Sequence, residues 1–204
     1  MLRSDRSGSI CAAPWLLRRG DGSPTGSSID VLSIYFPKAI LIQENHQVAS
    51  SKDISVTVRR LRSVDVALLR ELNQLFAAAF NDAEVYTHAL PDDSYLCALL
   101  GKEHVIALVA LVSGQVVGGL VAYELEKFER ARSELYIYDL AVAAHYRRRG
   151  VATAIIQQLR DIAASRGVWV IYVQADYGDN AAIGLYEKLG VREDVMHFDI
   201  PIVP

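Results

Sequence analysis

Three features of the sequence predict a single mixed α/β domain, one sheet with helices packed on it. After residue 54 the apolar period switches repeatedly between about 2 and about 3.6, as strands interspersed with helices require. Glycine-containing turns and helix stops (Ser113-Gly114-Gln115, Gly150, Gly167, Gly190) punctuate those segments. With 204 residues, 51% of them apolar, the chain builds one core without staples and falls short of two full domains.

Taken in order, residues 54–61 alternate apolar with polar side chains, as a half-buried strand does. Asp65 then precedes a run in which Leu68, Leu69, Leu72, Leu75, Phe76 and Phe80 recur at helical spacing, predicting a helix capped by Asp65 and reaching residue 80. Asp92 or Asp93 caps a short second helix through residue 100. Strands at 104–112 and 116–125 are joined by a hairpin turn at Ser113-Gly114-Gln115. A β-prone run covers 134–142, a helix 152–166 ends at Gly167, and a buried strand follows at 168–173. Asp179 or Asn180 starts a helix to residue 189, stopped by Gly190, and 193–200 reads as a last strand. The predicted order is β-α-α-β-β-β-α-β-α-β. Residues 1–28, rich in Ser, Gly and Arg, read as a disordered tail; 29–53 complete an N-terminal extension that packs on the domain or stands apart, so the folded unit is 54–204.

Composition narrows the function classes. The net charge is −3; residues 1–53 hold six basic and five acidic residues, leaving 15 and 19 in the remainder. A mildly acidic domain suits a small cationic partner better than nucleic acid. Two cysteines far apart, Cys11 and Cys97, make no disulfide framework and fit a cytoplasmic protein. No CxxC or HExxH spacing points to a metal. The apolar run 31–42 is too short to span a bilayer.

The most informative stretch runs from Ile137 to Ala152, where a β-prone segment enters the basic turn Arg147-Arg148-Arg149-Gly150 and then a helix. Unpaired amides and partial positive charge at a helix start receive phosphate, glycine lets a diphosphate approach, and guanidinium groups add ionic hydrogen bonds. Three adjacent arginines also occur as a solvated charge run. Neither GxGxxG nor a P-loop is present.

Arg147-Arg148-Arg149-Gly150-Val151-Ala152 resembles the Arg/Gln-x-x-Gly-x-Gly/Ala signature of GNAT acetyltransferases. Asn180 to Val191 is similar to a second family element, Asn-x-x-Ala-x-x-x-Tyr-x-x-x-Gly-Phe, with Ile183 and Val191 as departures that leave Tyr186 and Gly190 in place. Residues 136–142, 172–179 and 196–200 further resemble type I aminoglycoside 3-N-acetyltransferases, over roughly 54–200. The resemblance implies the GNAT fold, a mostly antiparallel sheet splayed after the fourth strand with helices on both faces. It implies acetyl-CoA held by Leu140, Ala141, Val142, Arg147, Arg148, Arg149, Gly150, Val151, Ala152, Thr153, Asn180 and Tyr186, no metal, and acetyl transfer to the 3-amino group of an aminoglycoside. A homodimer is the family's common state.

For the chemistry, an attacking amine must lose a proton, and the departing thiolate gains from an acid. Asp139, a charge in an otherwise apolar strand, is the first candidate for the base, and Glu134 serves through water; Asp139 paired with an arginine is the competing reading. By the resemblance Tyr186 is the acid near the sulfur, against the reading of a helix aromatic in the core, and the Val142 amide is in family terms the oxyanion donor. Asp176 and Asp179 are candidates for holding ammonium groups, or caps. Glu84, with Asp82, Asp92 and Asp93, borders the acceptor site in the family or is solvated. A polyamine or protein amine as acceptor, and a non-catalytic acetyl-CoA-binding module, are the competing functions.

Overall fold

The computed structural model describes residues 54–202 apart from 83, 84, 87 and 88, so the N-terminal extension and Glu84 lie outside the described residues. The elements are β1 (Thr57–Arg60), α1 (Val66–Phe80), α2 (Asp93–Leu100), β2 (Val105–Val112), β3 (Gln115–Lys127), β4 (Arg132–Val142), a 3-10 turn (Ala144–Tyr146), α3 (Val151–Arg166), β5 (Val170–Val173) and α4 (Asn180–Tyr186). They make a five-stranded sheet in sequence order, antiparallel from β1 to β4 and parallel between β4 and β5.

Local chemistry accounts for most of these boundaries. The β2–β3 hairpin turns on Ser113 and Gly114, both at positive φ (51° and 82°), the geometry of a type I′ turn. Asp92 accepts from the Tyr95 amide at 2.8 Å and so caps α2. Gly167 ends α3 in the left-handed conformation. One face of the sheet carries a core of Leu108, Leu120, Leu135, Ile155 and Leu159 against α3; the other packs Val109 and Ala141 against Leu72, Phe76 and Leu96 of α1 and α2. Helices therefore cover both faces.

Three sequence expectations need correction. Asp65 stands at the α1 cap position without capping; its carboxylate accepts from the Arg62 amide at 2.9 Å and pairs with Arg59, because a buried carboxylate finds its countercharge there. The 168–173 strand is shorter and half-exposed. Val170 and Tyr172 face outward while Ile171 and Val173 pack on the core, as befits a strand with one described neighbour. No strand forms over 193–200, where Met196, Phe198 and Ile200 are exposed; β-propensity needs a partner edge, and none pairs with this segment among the described residues.

Candidate active site

The site is built on β4. Only Glu134–Ile137 pair with β5 (Val170–Val173); β5 ends there while β4 continues to Val142 with β3 beside it, so one edge of 138–142 has no strand neighbour among the described residues. Within the same stretch the β3–β4 register jumps, Val121 facing Asp139 and Ala122 facing Ile137, which leaves Tyr138 as a bulged residue. The bulge reverses the alternation. Leu135 and Ile137 point to the α3 core before it, Leu140 and Val142 after it. Asp139 is thereby turned to the α1 face.

There the Tyr86 hydroxyl donates to Asp139 Oδ1 at 3.1 Å. Tyr86 is itself wedged against Phe76 and Phe80, with ring centroids 6.0 and 5.9 Å away. Burial pushes the Asp139 carboxyl up to about 6, against the opposing pull of the Tyr86 hydrogen bond. Asp139 has no arginine partner among the described ion pairs. A carboxylate with this value is ionised at neutral pH and still basic enough to accept a proton.

At the end of β4 the chain makes the 3-10 turn and enters α3. Arg148 (φ 61°) and Gly150 (φ 79°) both lie in the left-handed region, a backbone geometry that gathers amides into anion-binding concavities. No side chain caps α3, and its first turn carries no acidic residue, so Val151, Ala152 and Thr153 open the helix with their positive end free of competing carboxylates. A Cβ on Gly150 would meet open space, so φ, not crowding, is what favours glycine here. Arg147 Nε donates to the Val142 carbonyl at 3.0 Å, fastening the turn to β4, while Arg148 and Arg149 are exposed. These residues fit a coenzyme diphosphate.

On the α3 side of the sheet α4 carries Tyr186, packed against the core, whose phenol is raised by burial and by the negative charge of Asp179 and therefore stays protonated. Asp179 is buried and its Oδ1 accepts from the Ala182 amide at 2.9 Å, capping α4. Its pKa is also raised, by burial first and with a contribution from Asp176.

The sequence pattern of the acetyltransferase (GNAT) family matches residues 68–191. The chain belongs to that family. It is similar to an aminoglycoside acetyltransferase, HMB0005, from an uncultured soil metagenomic sample: 54% identical, TM-score 0.72, covering 74% of this chain and 100% of the other. It is also similar to the aminoglycoside acetyltransferase meta-AAC0020, from an uncultured soil metagenomic sample and in complex with sisomicin, at 29% identity and TM-score 0.68, over 72% of this chain and 97% of that one. A shorter likeness, 35% over 60 residues, joins it to the [ribosomal protein bS18]-alanine N-acetyltransferase of Escherichia coli (strain K12), of which 40% is covered.

Within this GNAT fold the sequence-selected residues divide. Leu140, Ala141, Val142 and Asp139 share the end of β4 that leads into the 147–153 turn, Asp139 on the α1 face, while Tyr186 packs against the core on the α3 face. Asn180 is the exposed first residue of α4, beside the Asp179 cap. Glu134 is elsewhere: it pairs with Lys127 and Arg132, both at 3.7 Å, and lies five residues from Asp139, roughly 16 Å along a strand. Those ion pairs give the Glu134 charge two countercharges on the β3–β4 hairpin. Asp179 and Asp92 are occupied as caps, Asp82 accepts from the Val85 amide at 3.3 Å, and Asp93 pairs with Arg70 at 2.5 Å. Asp176 lies in the turn leading to α4, its backbone carbonyl accepting from the Asp179 amide at 3.2 Å. Sequence reasoning missed Tyr86, which sits between α1 and α2 where no period marks it. The one available signal was its position next to the acidic stretch 82–84. No described helix is long and apolar enough to cross a membrane.

Proposed function

We propose that this protein transfers the acetyl group of acetyl-CoA to an amino group of an aminoglycoside, the 3-amino group by resemblance, and so confers resistance to the drug. The observation that carries this reading is the placement of Asp139, half-buried beneath Tyr86, on the strand whose β5-side edge is free as it runs into the α3 turn. The likeness to two aminoglycoside acetyltransferases along nearly their whole length supports the acceptor class. A cytoplasmic location and a homodimer belong to the same proposal.

The thioester supplies an activated acetyl group. The Arg148–Gly150 backbone and the first amides of α3 hold the diphosphate, and the unpaired edge of 140–142 aligns the pantetheine arm. Asp139 accepts the ammonium proton at its carboxylate, freeing the amine lone pair to attack. The Val142 amide donates to the oxygen that gains charge, and Tyr186 Oη gives a proton to the departing sulfur. Tyr186→Phe is therefore expected to lower kcat by roughly 10²-fold without changing coenzyme A affinity. An unaltered kcat removes Tyr186 from the proton path.

Gly150→Val forces a β-branched residue to φ 79°. Coenzyme A binding is expected to weaken about tenfold or more, in line with ~1–2 kcal/mol for a left-handed non-glycine residue. Calorimetric titration reads this directly; an unchanged Kd sinks the diphosphate assignment. The function itself is tested by thiol release with gentamicin, sisomicin, spermidine and N-terminal peptides, followed by NMR of the product. Turnover confined to the peptides would favour a protein amine, the reading suggested by the likeness to the ribosomal-protein acetyltransferase.

A further inference from the structure

On the face that carries Asp139, the cover supplied by α1 and α2 reaches only as far as Val121 and Ala141. Below that line three strands place tyrosines side by side. Tyr123 of β3 is the register partner of Tyr136 of β4, which is the partner of Tyr172 of β5. Tyr136 and Tyr172 stack at 5.1 Å and 25°. The bulged Tyr138 sets its edge against both Tyr123 and Tyr136, at 5.8 Å and near-perpendicular angles. Tyr138 and Tyr172 remain 39% and 38% exposed.

A row of aromatic cross-strand pairs stabilises a sheet whatever else it does. Two features of this row exceed that purpose. The opposite face of the same strands is dry core, so the exposed ring surface is confined to the side that bears the proposed base, and Tyr138 immediately precedes Asp139 in sequence. The central ring is also pinned by polar groups: Tyr136 Oη donates to Gln174 Oε1 at 3.0 Å, and Gln174 Nε2 meets His197 Nδ1 at 3.3 Å. Partly exposed aromatic surface beside hydrogen-bonding groups is one way proteins meet rings that are apolar on their faces and polar at their edges.

We propose that the row Tyr123–Tyr136–Tyr138–Tyr172 is the recognition surface for an amino-sugar ring of the acceptor, with Tyr138 delivering the ring's amine to Asp139. This rests on the aminoglycoside reading above and adds to it the part of the site that distinguishes a cyclic amine from an acyclic one. The C–H face of the sugar lies against the tyrosine rings, and a ring ammonium gains from their negative π-faces. Ring hydroxyls reach the phenol and Gln174 edges.

The test compares Tyr138→Leu and Tyr172→Leu with the wild type, after thermal denaturation has shown each variant folded. KM for gentamicin is expected to rise about tenfold in Tyr138→Leu, the size of one lost aromatic contact to a cation; KM for acetyl-CoA stays put. Tyr138→Phe, which keeps the ring, recovers most of the loss. Saturation-transfer NMR is expected to show transfer from aromatic protons to sugar ring protons, diminished in both leucine variants. If the wild type acetylates gentamicin while both leucine variants keep its KM and its saturation transfer, the platform is overturned and the function stands. The platform is equally overturned if the variants change only a dimer–monomer equilibrium, because the row is then an interface between copies. Saturation transfer without acetylation overturns the function and leaves the platform, and absence of any gentamicin binding overturns both.

Discussion

Asp139→Asn is expected to lower kcat/KM for an aminoglycoside by about 10²–10⁴-fold, the usual worth of a general base. The substitution keeps the size of the side chain and leaves an amide oxygen to accept from Tyr86, so the loss isolates the proton acceptor from the packing. The wild-type rate is expected to rise with pH through about 6, where Asp139 ionises, and the variant to lack that inflection. A variant that keeps both the rate and the pH step would transfer the base role to another group or to water. Stability is expected to move the opposite way. Because the folded-state carboxyl is raised from 3.8 to about 6, its neutral form is the one the fold prefers. That preference is fully present below about pH 4 and is lost as pH rises through about 6, at a cost of up to about 3 kcal/mol. Asn never ionises, so Asp139→Asn is expected to melt above the wild type at pH 8 and level with it at pH 4. Function is here set against stability at one atom pair, and thermal melts at the two pH values read the difference.

The same residue shows what a sequence discloses and what it hides. Asp139 was legible because a charge within Tyr-Ile-Tyr-Asp-Leu-Ala-Val violates the apolar run, and such violations are costly unless used. The backbone turn at Gly150 was legible because its parts are local: the arginines, the glycine and the helix start are neighbours in the chain. The four helices of the predicted order form where their periods place them, with Asp92, Gly167 and Asp179 as the caps read for them; Asp65 does not cap α1, and α4 ends at Tyr186, short of residue 189. The bulge at Tyr138 was hidden, since it arises from the pairing of β4 with β3 and leaves no mark in either strand alone. Tyr86 was hidden for the same reason; 53 residues separate it from its partner, and only packing on Phe76 and Phe80 brings them together. The 193–200 segment failed in the other direction. Its alternation is a true local preference, but a strand is a property of two edges.

Gly119→Ala is expected to be the most damaging single methyl in the sheet. The position pairs with Val109 on β2 and Ala141 on β4, facing α1. A Cβ there would lie 2.4 Å from Leu72 Cδ1 and 2.6 Å from the Leu108 carbonyl oxygen. Leu72 is fully buried and could turn its methyls aside only by disturbing α1; the Leu108 carbonyl belongs to the β2–β3 ladder and has nowhere to go. Overpacking against backbone costs about 3 kcal/mol, a fall of roughly 6–12 °C in Tm for a domain of this size. Gly118→Ala, whose added carbon meets its neighbours at 3.0–3.2 Å, is expected to cost clearly less. Combining Gly119→Ala with Leu72→Ala removes the first clash and leaves the second, so the double variant is expected to remain less stable than Leu72→Ala alone. The consequence extends to the active site, because the seat of α1 on Gly119 places Phe76 and Phe80, which hold Tyr86 on Asp139. Below its melting point Gly119→Ala is accordingly expected to show a reduced kcat with coenzyme A affinity intact, and a Tm within a degree or two of wild type would refute the close seating of helix on sheet.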